Sequence, residues 1–129
     1  MIQKDFDTWN TRKKYLQSEG RNPLYHVGEI WWCHLGVNIG FEEDGTGHDS
    51  ERPVVIIRRF NQQLCWIIPL STSLKKNLYY KLAGTVEGKL ASAILSQMRP
   101  VDTKRFINLI EIMPIDIFNE IKQAAKALL

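Results

Sequence analysis

The sequence lacks any apolar run approaching the roughly 18 residues that a membrane-spanning helix requires, so no helical membrane span is expected in it. Its opening residues, MIQKDFDTWN, are polar where a secretory signal would be apolar. Only two cysteines occur, Cys33 and Cys65, each inside an apolar, strand-like run. They read as core residues rather than as a disulfide or a metal pair, and a reducing cytoplasm is the expected compartment. There is no phosphate-binding glycine loop, no paired Cys or His cluster of metal-site spacing and no serine elbow. The three histidines, His26, His34 and His48, are scattered. His34 falls within a strand-like run and reads as structural. A cofactor-dependent enzyme is therefore not expected, and neither is a metal site. Repeats, low-complexity tracts and domain linkers are absent as well.

What is present suits one small globular unit. The 129 residues are enough for a single real core and too few for two ordinary domains. Hydrophobic residues make up 44% and charged residues 24%, with a net charge of +3 that permits contact with nucleic acid without requiring it. The stretch DFDTWNTRKKYLQSEG has apolar residues at helical spacing, early acids and later bases, and Gly20 where a cap would end it. It predicts a short N-terminal helix, and RNPL after it reads as a turn. Residues 1–27 are thus expected to form a helical arm and residues 28–129 the main domain.

From Gly28 onward the pattern is that of strands. GEIWWCHLG, RPVVIIRRF and QLCWIIPL read as three, the last two joined across NQQ as a hairpin. YYKLAGTV and ASAILSQ pair around EGK, and KRFINLIEI reads as a last strand. No strand–helix alternation is present, so a meandering, closed or half-closed β-barrel is expected rather than a parallel sheet. MPIDIFNEIKQAAKALL predicts a closing helix with a stripe of Ile117, Ile121, Ala124 and Leu128. The aromatic strand EIWWC is a candidate partner for that stripe.

Polar residues cluster at the predicted strand ends. Arg52 stands before Pro53 at the mouth of a β-branched run. Ser71, Thr72 and Ser73 follow IIPL, and Ser96, Gln97 and Arg99 follow SAIL. A barrel can bring strand ends from distant positions together, so the joint pattern says more than any one member.

The order and spacing of GEIWW, IGFE, RPVVII, IIPLSTS, LSQMRPVDTKR and the terminal helix resemble the MazF/PemK toxin family, the ribonuclease components of bacterial toxin–antitoxin pairs. The resemblance covers Gly28 to Leu129, with the loop between Gly40 and Arg52 longer than usual. It implies an SH3-like plug barrel of the CcdB/MazF type, mainly β, with the C-terminal helix and, in this chain, an extra N-terminal helix. It also implies a homodimer, metal-independent cleavage of single-stranded RNA, and a cognate antitoxin as partner. The family's active-site arginine falls on Arg52, and its catalytic hydroxyl on Ser71, with Thr72 adjacent. RNA-binding positions fall on Glu42, Lys75, Ser96, Gln97 and Arg99. Ser96 occupies a place where relatives often carry an acid, and Phe41 one where a histidine can stand.

The chemistry suits those residues. Metal-free RNA cleavage needs a base for the ribose 2′-OH, donors for the phosphoryl oxygens and an acid for the leaving 5′-oxygen. Arginine's charged fork fits the second task, and a hydroxyl adds a donor. Glu42, Glu29 and His48 are the candidates for the base. The alternative is a non-cleaving module on the same barrel, binding RNA or, like CcdB, a protein target.

Overall fold

The computed structural model describes residues 22–36 and 51–129. The expected N-terminal helix and the loop carrying Glu42 and His48 lie outside the described residues. Seven antiparallel strands and one helix account for the fold: β1 (Glu29–His34), β2 (Glu51–Arg59), β3 (Leu64–Ser71), β4 (Tyr80–Val86), β5 (Lys89–Ile94), β6 (Arg99–Asp102), β7 (Phe106–Ile112) and α1 (Ile115–Ala127). The sheet runs β4-β5-β3-β2-β1-β7, with β6 also pairing β3, so the molecule is a mainly β half-barrel with a C-terminal helix.

Local chemistry explains the turns. In the β2–β3 hairpin the Asn61 side chain accepts the amides of Gln63 and Leu64, at 2.7 and 2.9 Å, an Asx arrangement that fixes the reversal. The β4–β5 turn is tight: Val86 faces Lys89 directly, and Glu87 and Gly88 both have positive φ, at 53° and 81°. That is the primed hairpin turn whose twist matches the strands it joins.

Strand β6 does not figure among the strands expected from sequence. Pro100 argues against a strand in a single-sequence reading, yet β6 pairs with β3 through Ile67–Arg99, Trp66–Pro100, Cys65–Val101 and Leu64–Asp102. It is a short strand along one stretch of an edge, where one missing donor is tolerated. β3 is thus lined on that edge first by β6 and then, at Leu70 and Ser71, by β5.

The alternation of β2 and β3 sends buried side chains to two cores. One contains Val55, Ile68, Leu70, Ala83 and Ala93, closed by Met113, Phe118, Ile121 and Ala125 from the end of the chain. The other gathers Tyr25, Trp31, Cys33, Val54, Ile56, Cys65, Ile67, Val101 and Phe106. The expected stripe of α1 does face the first core, where it packs on β4 and shares the core with Ile30 of EIWWC. Ile30 reaches this core, whereas Trp31 belongs to the second and stacks on Phe106 at 5.2 Å. The reason is local: strand alternation turns neighbouring residues of β1 to opposite faces. Tyr25, within the stretch assigned to the N-terminal arm, is 1% exposed.

Candidate functional site

The ladder between β2 and β3 pairs Ile56 with Ile67, Val55 with Ile68 and Val54 with Pro69. Carried two residues further, this register sets Arg52 across from Ser71. Strand alternation puts Arg52 on the face of Val54 and Ile56, and Ser71 on the face of Cys65 and Ile67, which is the same side of the sheet. Arg99 begins β6 opposite Ile67 and shares the side of Val101. Arg52, Ser71 and Arg99 therefore share one face across three strands, with Arg99 level with Ile67, four residues along β3 from Ser71.

Cys33 of β1 lies directly opposite Arg52. Burial pushes the Cys33 thiol up to about 12, Cys65 adds to the rise, and the charges of Arg105 and Arg99 pull the other way. Both arginines thus act on the residue that faces Arg52. Arg105 is further fixed by donating from Nη1 to the His34 carbonyl at 3.2 Å.

Ser71 is 7% exposed, and its Oγ accepts the Ser73 amide at 3.0 Å. That contact uses an acceptor lone pair and leaves the hydroxyl proton to be donated elsewhere. Thr72 is exposed beside it. Both line a cavity of about 280 Å³, with Trp32 and Pro53 on one wall and the β4–β5 turn at the rim. Alternation directs Arg52 to the other face from Trp32 and Pro53, and Arg52 is not among the described residues lining this cavity.

The remaining candidates are arranged along the same stretch. Ser96 and Gln97 belong to a short 3-10 turn, Leu95–Gln97, packed on β3 between its β5 and β6 segments. Ser96 is exposed and Gln97 half-buried. Lys75 is exposed in the segment after Ser71, its Nζ 5.6 Å from the centre of the Tyr80 ring. Glu42 lies outside the described residues.

Glu29, one of the candidate bases, stands at the far end of β1 from the Arg52 level. Its Oε1 accepts the His26 amide and the Trp31 indole, each at 2.9 Å, and its Oε2 lies 3.1 Å from His26 Nδ1. It is a buried structural acceptor. His34, expected to be a structural residue of its strand, ends β1 and is exposed there. It borders a cleft of about 550 Å³ with Glu51, Asp102, Lys104 and Arg105. Sequence reasoning passed over Arg105 because KRFINLIEI reads as one strand; the chain makes a 3-10 turn over Thr103–Arg105 first. Among the described residues no group of three or more His, Cys, Asp and Glu side chains could hold a metal ion. Nor is any described helix long and apolar enough to cross a membrane.

A half-barrel with a terminal helix and a cationic, hydroxyl-bearing strand end is the class of protein described so far. Residues 26–129 match the family model of the PemK-like, MazF-like toxins of type II toxin–antitoxin systems. The chain belongs to that family. Comparison with curated protein sequences finds no match. Among solved structures, MazF from Deinococcus radiodurans superimposes with a TM-score of 0.64 at 16% identity, covering 83% of this chain and 97% of that one. An endoribonuclease in complex with its cognate antitoxin, from a mycobacterial species, gives 0.63 at 11% identity over 81% and 93%. The toxin MazF-mt6 of Mycobacterium tuberculosis gives 0.59 at 12% identity over 77% and 93%. At these identities the likeness is one of fold.

Proposed function

We propose that this protein is a metal-independent endoribonuclease toxin that cleaves single-stranded RNA and is neutralised by a cognate antitoxin. The observation that supports the reading is the placement of Arg52, Ser71 and Arg99 along one face of β2, β3 and β6 in a barrel of this family. Arg52 grips the scissile phosphate through its two-pronged fork and stays charged throughout. Ser71, whose Oγ already accepts a backbone amide, donates its proton to a phosphoryl oxygen. Arg99 adds positive charge where negative charge builds up. The base takes the proton of the ribose 2′-OH, and that oxygen attacks phosphorus. The P–O5′ bond then breaks, giving a 2′,3′-cyclic phosphate and, after protonation, a 5′-hydroxyl. Glu29 is committed elsewhere, which leaves Glu42 or His48 for the base.

Two partners complete the reading. A second copy makes a homodimer, which light scattering at tens of micromolar checks; a monomer mass overturns that part. An antitoxin with an acidic, partly disordered segment covers the basic surface around Arg52, Lys75 and Arg99, wrapping a wide area at an ordering cost. Antitoxin binding unchanged in the triple alanine variant would displace that site.

The deciding experiment is incubation of the purified protein with a mixed single-stranded RNA pool in EDTA. Defined fragments ending in cyclic phosphate are expected. RNA that is bound and left whole would instead make the protein a binding module on this barrel.

A further inference from the structure

The cavity beside Ser71 and Thr72 has a composition that the cleavage step does not use. Trp32 forms a half-buried wall, and Val86 with neighbouring aliphatic residues forms an apolar floor. Glu87 and Lys89 stand at the rim, on the two sides of Gly88. At about 280 Å³ it lies at the small end of ligand cavities, which run from roughly 300 Å³ upward. One aromatic-sized group fits.

We infer that this cavity is a base subsite that takes a guanine of the RNA where the strand passes Ser71 and Thr72. The inference rests on the nuclease reading for its substrate and goes beyond it in naming the base and the residues that choose it. Trp32 supplies the stacking face by which proteins hold unpaired bases. Glu87 can only accept hydrogen bonds and Lys89 can only donate them. Guanine is the base whose pairing edge offers two adjacent N–H groups, from N1 and N2, with the O6 acceptor beside them. The two N–H groups match both oxygens of a carboxylate, and O6 meets the ammonium. Adenine, cytosine and uracil each present a single N–H-bearing position on that edge, so a carboxylate there is left half-satisfied.

Two further observations favour a ligand. Neither Glu87 nor Lys89 has an ion-pair partner among the described residues. Glu87 is also the one non-glycine described residue with positive φ, at 53°, a conformation that is costly for a side-chain-bearing residue. Glycine or asparagine would suit the turn better. A glutamate there is explained by what its carboxylate does.

The test pairs a binding readout with a cleavage readout, using Glu87→Gly, since glycine favours the observed backbone and the variant keeps the turn. Binding of the four nucleoside 5′-monophosphates is measured by saturation-transfer NMR, and cut sites are mapped in a mixed RNA pool. GMP is expected to bind the wild type at least about tenfold better than AMP, CMP or UMP, with a guanine at one fixed position relative to the cut. Glu87→Gly should lose both preferences while still cleaving RNA. Wild-type cleavage with no guanine at a fixed position relative to the cut and no preference for GMP overturns the subsite and leaves the nuclease standing. Selective GMP binding without any RNA cleavage does the reverse. GMP preference that survives in Glu87→Gly overturns the role of Glu87. Equal, weak binding of all four nucleotides, with an antitoxin peptide displaced by Trp32→Ala, would give the cavity to a protein partner instead.

Discussion

A Cβ at Gly84 of β4 would stand 2.9 Å from Cδ1 of Ile117 on α1. Gly84 has φ +83° and sits at a register shift between Leu82 and Gly84 in the β4–β5 ladder. Helix and sheet thus meet where one residue has no side chain and a bulge turns its backbone. Lys81 and Glu120 make a 4.0 Å ion pair across the same junction, which is exposed and contributes little.

Gly84→Ala is therefore expected to destabilise by about 1–2 kcal/mol from the backbone conformation alone, with further loss as Ile117 moves. A fall in melting temperature of roughly 3–6 °C or more follows. The double variant Gly84→Ala, Ile117→Val removes Cδ1 and should recover the packing part while keeping the backbone part. A scanning fluorimetry series that shows no recovery would place the loss entirely in the backbone.

The two thiols give an alkaline signature. Cys33 and Cys65 are both fully buried, and burial raises each from 9.0 to about 12, with Asp102 contributing at Cys65. The unfolded thiols ionise near 9, whereas the native ones resist until about 12. Below pH 9 both states are neutral and the full stability is present. Between pH 9 and 12 the unfolded state is favoured by ionising, and stability is lost. The melting temperature should hold to about pH 8 and fall beyond 9, and the slope should be shallower in Cys33→Ala, Cys65→Ala. Neither thiol should react with a maleimide until denaturant is added. Rapid labelling of the folded protein at pH 8 would contradict the burial.

Tyr25 ties the chain before β1 to the β2–β3 hairpin. Its hydroxyl donates to the Asn61 carbonyl at 2.6 Å and lies 3.2 Å from that of Leu64, and its ring meets Phe106 edge-on at 5.8 Å. Tyr25→Phe leaves the packing and removes the donor, at an expected cost of about 1–2 kcal/mol. Tyr25→Ala removes both, at about 3–5 kcal/mol. Equal melting temperatures for wild type and Tyr25→Phe would mean that water satisfies those carbonyls as well.

Period-2 patterning made six strands legible, because runs such as VVII and CWII can do little else when flanked by turns. The Asn61 reversal and the Glu87–Gly88 turn were legible for the same local reasons. β6 was hidden because Pro100 suppresses any single-sequence reading, while the pairing that overrides it comes from β3, some thirty residues earlier. The packing of α1 on β4 was not legible, because amphipathicity says that a face is covered and not by what; of EIWWC it is Ile30 that shares this core. At the site, Arg52, Ser71 and Arg99 were visible as polar residues at strand ends. Their sharing of one face depends on the β2–β3 register, which sequence spacing does not specify. Arg105 and the exposure of His34 depend on a 3-10 turn with no strong signature. Glu87 was read only as turn, since nothing local says that its carboxylate borders a cavity.

The facing of Arg52 and Ser71 yields the sharpest test. If Arg52 holds the scissile phosphate, Arg52→Ala should lower RNA cleavage by roughly 10²–10³-fold, as loss of a preorganised donor does elsewhere, and relieve growth inhibition. Arg52→Lys should recover little, because a point charge does not reproduce the two-pronged contact. Ser71→Ala should be damaging on two counts, since it loses the donated proton and the acceptor for the Ser73 amide. Ser71→Thr keeps both and should be tolerated. A structural role for Arg52 forecasts the opposite division: a lower melting temperature in Arg52→Ala, with normal specific activity in whatever stays folded. Melting temperature and cleavage rate measured on the same preparation separate the two. A folded Arg52→Ala protein that cuts RNA at the wild-type rate would remove Arg52 from the reaction and, with it, the reason for reading this strand end as the active site.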